Sequence, residues 1–447
     1  MSAPAVVPNA RNVASAVLVR VFKDDAFASA ALESELERAV QLDPRDRALA
    51  TELVYGTLRA ERYLDQRIGV HVPKGVGTLD VPVRVALLVA AYQLLFLQRI
   101  PGFAAVDEAV GAIRRVRGAQ VGGFVNAVLR KIATEARTGP EITLADAIAS
   151  TPVRWLSRSL TATLGDEGAA AFLRSMADTP PVGLRAASPA DRERAVTELT
   201  RSLPDARIEA GEVSRLAIRV AGAGRVADLP GVAEGRLVVQ EEGSQVVGLA
   251  LGAREGERVL DACAGRGNKT SLLAAAVGPS GAVDACDLHP SKLERLRQEL
   301  EHLGLAPRST FAVDWSRGCG DVPDDFDAVL VDAPCSGTGT LRRRPEIVRR
   351  RSAEVLRELA ALQTAILGHA SSRVRPGGRL VYAVCSVLAE EGDAVVDAFL
   401  AAHPEFEETA FADADVARVA SGGSRFRLLP HVHGTDGYFA AHLTRRR

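Results

Sequence analysis

Two cysteines in this chain follow directly on apolar runs. The first run, Asp327-Ala328-Val329-Leu330-Val331, leads into Asp332-Ala333-Pro334-Cys335 and then a glycine-rich turn. The second, GGRLVYAVC (377–385), ends at Cys385. Short apolar runs of this kind read as buried parallel strands, and open α/β sheets hold their ligands beyond the carboxyl ends of such strands. If the two strands are neighbours, both thiols open onto one crevice, with the Asp332 carboxylate beside them. Buried free cysteine is mostly a small apolar filler, and Cys263, Cys286 and Cys319 are read that way. A matched pair at two strand ends is harder to treat so.

An earlier strand end carries a loop suited to a nucleotide-type cofactor. In LDACAGRGNKTSLL the residues Cys263, Ala264, Gly265, Arg266, Gly267, Asn268 and Lys269 join a strand to a helix. Gly265 and Gly267 permit tight turning and close backbone approach, and the helix start offers free N–H groups. The loop is not a phosphate-binding Walker loop, because Asn268 stands where glycine must precede the lysine. Asp287 closes the next strand, placed to accept from ribose hydroxyls. Asp314 follows the third, where an adenine amino group would lie. Three successive strand ends with suitable groups point to an adenosine-bearing cofactor.

These residues need a frame, and the chain supplies one in three parts. Residues 1–140 are read as an all-α bundle from apolar side chains at three- and four-residue spacing. Residues 141–235 are read as a small α+β domain, with VGLRAA and LAIRVAG as strands and ADRERAVTELTRSL as a helix. Residues 236–447 alternate strand and helix, in the rhythm of a doubly wound sheet.

Composition bounds the rest. The chain has 447 residues, is 47% hydrophobic and 25% charged, and carries a formal net charge of −1, values of an ordinary globular protein. Five cysteines without a CxxC pair fit neither a disulfide framework nor a zinc ribbon, and no metal is expected. The start, MSAPAVVPNARNVASAVLVRVF, lacks the basic region and long apolar core of a leader. The apolar stretch 81–100 contains Arg84 and Gln93 and reads as a buried helix rather than a membrane span. A monomer in the cytoplasm, away from membranes, is the expectation.

The motifs DAPCSGTG with RRRPEI, and YAVCSVLAEEG after them, resemble those of the RNA 5-methylcytosine methyltransferases of the Sun/Nop2 type. VVQEEGSQ (238–245) and PHVHGTDGYFAAHL are similar to further segments of that family, and RDRALATELVYGTLR and GGFVNAVLRKI resemble the NusB-like domain fused to its bacterial small-subunit rRNA branch. The resemblance implies a Rossmann-like class I methyltransferase domain behind a NusB-like RNA-binding domain, with S-adenosylmethionine as cofactor and a cytosine of 16S rRNA as substrate. Carried over residue by residue, it places the cofactor loop at Cys263 to Lys269, with Asp287, Asp314 and Asp332 as its acids. It makes Cys385 the nucleophile and Cys335 the thiol that helps release product. The arginines at 342, 343, 344, 349, 350 and 351 are then expected on RNA phosphates, and Lys269 is expected to donate to the base. Spacing alone does not decide which cysteine attacks, since DNA cytosine methyltransferases use the Pro-Cys position. The sequence departs from the family at Gly265-Arg266-Gly267-Asn268, at Val384 and at Gly392.

Overall fold

The computed structural model describes residues 9–97, 99–222 and 224–447, so the first eight residues, on which the leader reading partly rests, lie outside it. The described chain forms two compact units. The first takes in the chain up to Ser157 together with Ala170–Thr179 and Leu341–Arg350; the second holds Arg158–Ala169, Pro180–Thr340 and Arg351–Arg447.

The first unit is built from α1 (Ala10–Lys23), α2 (Ala28–Arg38), α3 (Pro44–Gly69), α4 (Val81–Phe96), α5 (Gly102–Thr138), α6 (Leu144–Ser150) and part of α7 (Arg154–Ser175). Local chemistry sets several starts. The Asn9 side chain accepts from Asn12 N at the head of α1, and Asp43 caps α3 ahead of a proline at its first position. Helix α4, the stretch read as buried rather than membrane-spanning, is apolar on nearly every side and lies at the centre, with Leu87, Leu88 and Tyr92 fully buried. Among the described residues no helix is long and apolar enough to cross a membrane. Gly118 at φ 86° interrupts α5, a left-handed conformation that glycine adopts without steric cost.

Segment Leu341–Arg350, which carries most of the arginine tract, belongs to this helical unit. Arg59 donates to the Arg342 carbonyl at 2.8 Å, and Ala28 N donates to Glu346 Oε1 at 3.2 Å. Arg349 pairs with Glu61 and stacks on Phe22, and Arg350 stacks on Phe27, each guanidinium 4.3 Å from the ring centre.

The second unit contains two sheets. The smaller has β1 (Val182–Ala186), β2 (Arg207–Ala210), β3 (Ala217–Ala221) and β4 (Leu237–Val239) in the order β2-β3-β1-β4, all antiparallel. Helix α8 (Pro189–Ser202) covers the face presented by Leu184 and Ala186. After α9 (Glu242–Ala250) come β5 (Arg258–Asp261), α10 (Asn268–Val277), β6 (Ala282–Asp287), α11 (Pro290–His302), β7 (Ser309–Ala312) and β8 (Phe326–Asp332). The chain ends with α12 (Ala353–Ser371), β9 (Val374–Val384), α13 (Asp393–Ala402), β10 (Phe406–Glu408), α14 (Ala414–Val419), β11 (Arg425–Leu428), α15 (Pro430–His433) and β12 (Tyr438–Arg445).

The large sheet runs β10-β12-β9-β8-β5-β6-β7, with β11 on β12. Strands β7, β6, β5, β8 and β9 are parallel, and β12 inserts antiparallel to β9. This is the doubly wound α/β domain expected from the alternating pattern. Its order reverses between β5 and β8, so the crevice at that switch point opens beyond Asp261 and Asp332. Strands β5 and β8 are buried on both faces, which is why they read as continuous apolar runs.

Leu330 is fully enclosed in the middle of β8. Leu330→Ala should lower the free energy of unfolding by about 2–5 kcal/mol, measurable as a lower urea midpoint with an unchanged slope.

Candidate active site

The register of β8 against β9 decides where the two thiols fall. Asp332 lies opposite Ala383 in this parallel pair, and Ala333 N donates to the Ala383 carbonyl at 2.9 Å. Both chains therefore leave the sheet at the same edge. The Sγ atoms of Cys335 and Cys385 lie 3.2 Å apart, both cysteines being free thiols and only partly exposed. The neighbouring Cys385 sulfur, and burial after it, push the Cys335 thiol well above the ordinary cysteine value. A shared proton between two sulfurs is retained more firmly than a lone one.

The Cys335 loop is fixed from several sides. Gly339 N donates to the Cys385 carbonyl at 3.0 Å, and Gly437 N to the Gly339 carbonyl at 2.8 Å. A Cβ at Gly339 would collide with the Gly437 backbone, so this close crossing requires glycine. Arg351 Nε donates to the Ser336 carbonyl at 3.1 Å. Beneath the loop sits Glu391, wholly buried. Its Oε1 accepts from Ser336 N at 2.7 Å and from Gln363 Nε2 at 3.0 Å, and its Oε2 accepts from Ser336 Oγ at 2.5 Å. Gln363 also donates to the Pro334 carbonyl at 2.9 Å, and the Tyr382 hydroxyl donates to the Glu391 carbonyl at 2.6 Å. A buried carboxylate is stable only with such donors. Here the donors are the backbone on either side of Cys335, so Glu391 acts on the site by positioning.

Beside the thiols, Lys269 Nζ is 2.6 Å from Asp332 Oδ2. Burial works against the lysine charge, yet Asp332 holds its pKa above the ordinary value, with Asp261 and Cys385 adding to the effect. Cys385 is thus within electrostatic reach of a fixed ammonium, a setting that favours thiolate. Asp261, at the end of β5, is buried and accepts from Thr270 Oγ1 at 2.7 Å, while its Oδ1 has no partner among the described residues. Burial pushes its carboxyl up to about 7, with Asp332 contributing in the same direction.

The loop from Cys263 to Lys269 turns as expected, with Gly265 at φ 59° and Gly267 at φ 92°. A Cβ at Gly267 would also press on Leu296 at 2.9 Å. Asp287 Oδ2 accepts from Gly265 N at 3.1 Å and Oδ1 from His289 N at 2.8 Å, so this acid joins the loop to β6. Asp314 is partly exposed and accepts from Ser316 N and Oγ; the Ser316 hydroxyl holds its carboxyl below the usual range. Cys286 is enclosed in the core and Cys319 donates to the His369 carbonyl. Of the arginine tract, Arg342 is buried, Arg349 and Arg350 serve the helical unit, Arg351 serves the Cys335 loop and Arg344 is exposed.

Two contributors escaped the sequence reading. Asp261 was visible as an acid closing the strand before the glycine loop. Glu391 sits in an acidic pair, Glu390-Glu391, whose composition suggests a solvated surface.

Two results test these local arrangements. Glu391→Gln should reduce stability by roughly 1–3 kcal/mol, since an amide meets donors that need an acceptor; labelling of Cys335 by a thiol reagent should accelerate with it. Folded Asp261 keeps its proton up to about 7, whereas the unfolded chain loses it near the ordinary value of 3.8. Stability should therefore fall as pH rises through that window and stay low above it. Asp261→Asn should remove this part of the pH dependence in urea titrations.

Comparison with known proteins agrees with this geometry. Residues 248–444 match the family model described as 16S rRNA methyltransferase RsmB/F, and residues 8–134 match the NusB family. The ribosomal RNA small subunit methyltransferase B of Pseudomonas putida is 34% identical, over 97% of this chain and 98% of that protein. The crystal structure of PH0851 superposes with a TM-score of 0.80 at 25% identity, covering 99% of both chains. NSun6 from Pyrococcus horikoshii, solved with SFG, shares the fold over 66% of this chain and 98% of its own, with a TM-score of 0.56 at 17% identity. The paired thiols at adjoining strand ends thus stand in a chain that belongs to the RsmB/F family of 16S rRNA methyltransferases, with a NusB-family domain before the methyltransferase domain.

Proposed function

We propose that this protein transfers a methyl group from S-adenosylmethionine to C5 of a cytosine in 16S rRNA, through a covalent bond between Cys385 and C6. The observation that carries the reading is the 3.2 Å approach of Cys335 and Cys385 beside the Lys269–Asp332 pair. The small-subunit target rests on family membership, and the cofactor on the loop and on the SFG in the NSun6 structure, an analogue of S-adenosylmethionine.

The residues fit such a cofactor. The Gly265–Gly267 turn leaves room for close approach, Asp287 and Asp314 end β6 and follow β7 as acceptors for ribose and adenine, and Asp261 presents a buried oxygen without a donor. Cys263, Ala264, Arg266, Asn268 and Asp332 complete the cradle. When bound, the cofactor supplies an electrophilic methyl group on a sulfonium.

Cytosine C5 is a poor nucleophile until C6 is attacked. Cys385, as thiolate near the Lys269 ammonium, adds to C6 and moves electron density onto C5. Asp332 accepts from the N4 amine, and Lys269 donates to the base as charge builds on the ring. Uracil would turn an O4 acceptor toward the Asp332 carboxylate, which gives selectivity for cytosine. After C5 has gained its methyl, loss of the C5 proton and of the Cys385 sulfur restores aromaticity, and Cys335 assists this release. The base must leave its stack to expose both carbons. Phosphate contacts of the tract fall to Arg343 and Arg344, since Arg342, Arg349, Arg350 and Arg351 are engaged within the protein.

Cys385→Ala should abolish covalent capture of 16S rRNA containing 5-fluorocytosine, while Cys335→Ala should still form the adduct and accumulate it. Capture by Cys385→Ala at the wild-type level would make Cys335 the nucleophile. Tritium transfer from labelled cofactor to undermethylated 30S subunits, absent in Cys385→Ala, tests the activity itself.

A further inference from the structure

Strand β1 carries a charged side chain where an apolar one would be ordinary. Arg185 points away from the Leu184–Ala186 face and is 6% exposed. Its guanidinium donates to Ser271 Oγ on α10 at 2.8 Å and makes no other hydrogen bond or ion pair among the described residues. Burial without a counter-charge lowers its pKa to about 10. An enclosed, unpaired cation is strongly unfavourable unless an anion joins it.

Space for that anion is present. Arg185 lines a cavity of about 440 Å³ between the small sheet and the α9–α10 side of the large one, within the size range of small-ligand sites. Its walls include three arginines and no carboxylate. Two of the three already have partners: Arg215 pairs with Asp413 and Asp415, and Arg236 with Glu198. The charge of Arg185 is the one left uncompensated. Ser188 and Pro189 bring the start of the 14-residue α8 to the same cavity, where its dipole adds positive potential. Opposite the arginines, Leu216, Leu249, Leu272, Leu303 and Leu305 form an apolar wall. An oxyanion attached to a flat or apolar body matches both halves.

We propose that this cavity is a second ligand site, separate from the thiol crevice, which takes a nucleoside phosphate with its phosphate on Arg185 and its base or sugar on the leucine wall. The ligand is either a free mononucleotide or one nucleotide of an RNA chain. Thermal unfolding of the full-length protein in phosphate-free buffer, with 5′-CMP, inorganic phosphate or a short single-stranded RNA added, tests this. Wild type should show a rising Tm with 5′-CMP or with the RNA; a response to the RNA alone would make the source a polynucleotide. Arg185→Met keeps the apolar stem and should weaken the response at least roughly tenfold in ligand concentration, the loss expected for a charge-assisted contact. Ala275→Glu, on the exposed face of α10 at the cavity wall, supplies an internal carboxylate and should weaken it likewise without disturbing the core. A wild-type Tm indifferent to all three probes would overturn the proposal, as would both variants responding like wild type.

Discussion

The site depends on one constraint: β8 and β9 are parallel neighbours in fixed register. Parallel strands deliver both following loops to the same edge, and a one-residue slip would turn every side chain to the other face. With Asp332 opposite Ala383, the first residue past β9 and the third past Asp332 meet as two sulfurs. Backbone bonds from Ala333 to Ala383 and from Gly339 to Cys385 extend the pairing past the formal strand ends. The thiols are therefore placed by the sheet rather than by flexible loops, and the buried Glu391 removes most of the freedom left to the Pro334–Ser336 backbone.

The charges beside the thiols form a second, dependent layer. Lys269 sits at the first turn of α10 because Gly267 allows the chain to enter that helix in a left-handed conformation. From there its ammonium reaches Asp332 at the end of β8, with Asp261 close behind. Two carboxylates near one lysine cannot both be equally well compensated in a low-dielectric site. The geometry resolves the competition: Asp332 takes the direct contact and Asp261 is the acid whose proton is retained, up to about 7. The crevice thus holds one firm ion pair and one neutral acid with a free oxygen, a poised environment for a cationic ligand next to a sulfur nucleophile.

Much of this was legible in the chain. Strands β5, β6, β8 and β9 announce themselves because both faces are buried, which leaves no choice but continuous apolar residues. The cysteines, the glycine loop and Asp287 follow from the ends of those strands. What escaped has equally physical causes. Strand β2 is largely exposed, so Arg207–Ala210 has little apolar pattern to read. Helices α6 and α7 lie in a stretch expected to be short mixed elements, and Gly165 at φ 71° breaks the periodicity of α7. Glu391 looks like a surface acid because sequence shows the charge and hides the four donors and neighbours that bury it.

Arginine illustrates the same limit from the other side. A run of six invites a single electrostatic reading, yet guanidinium is planar and weakly hydrated, as able to stack on phenylalanine or hold a carbonyl as to meet a phosphate. In Leu341–Arg351 the stacking and carbonyl roles account for Arg349, Arg350 and Arg351. Density of charge in sequence is therefore a poor guide to where positive potential is left over. Unspent charge is found instead at Arg185, a single residue inside a strand, where no neighbouring carboxylate competes for it. A lone cation that the fold encloses without a partner says more about an absent anion than a cluster whose members already have employment within the protein.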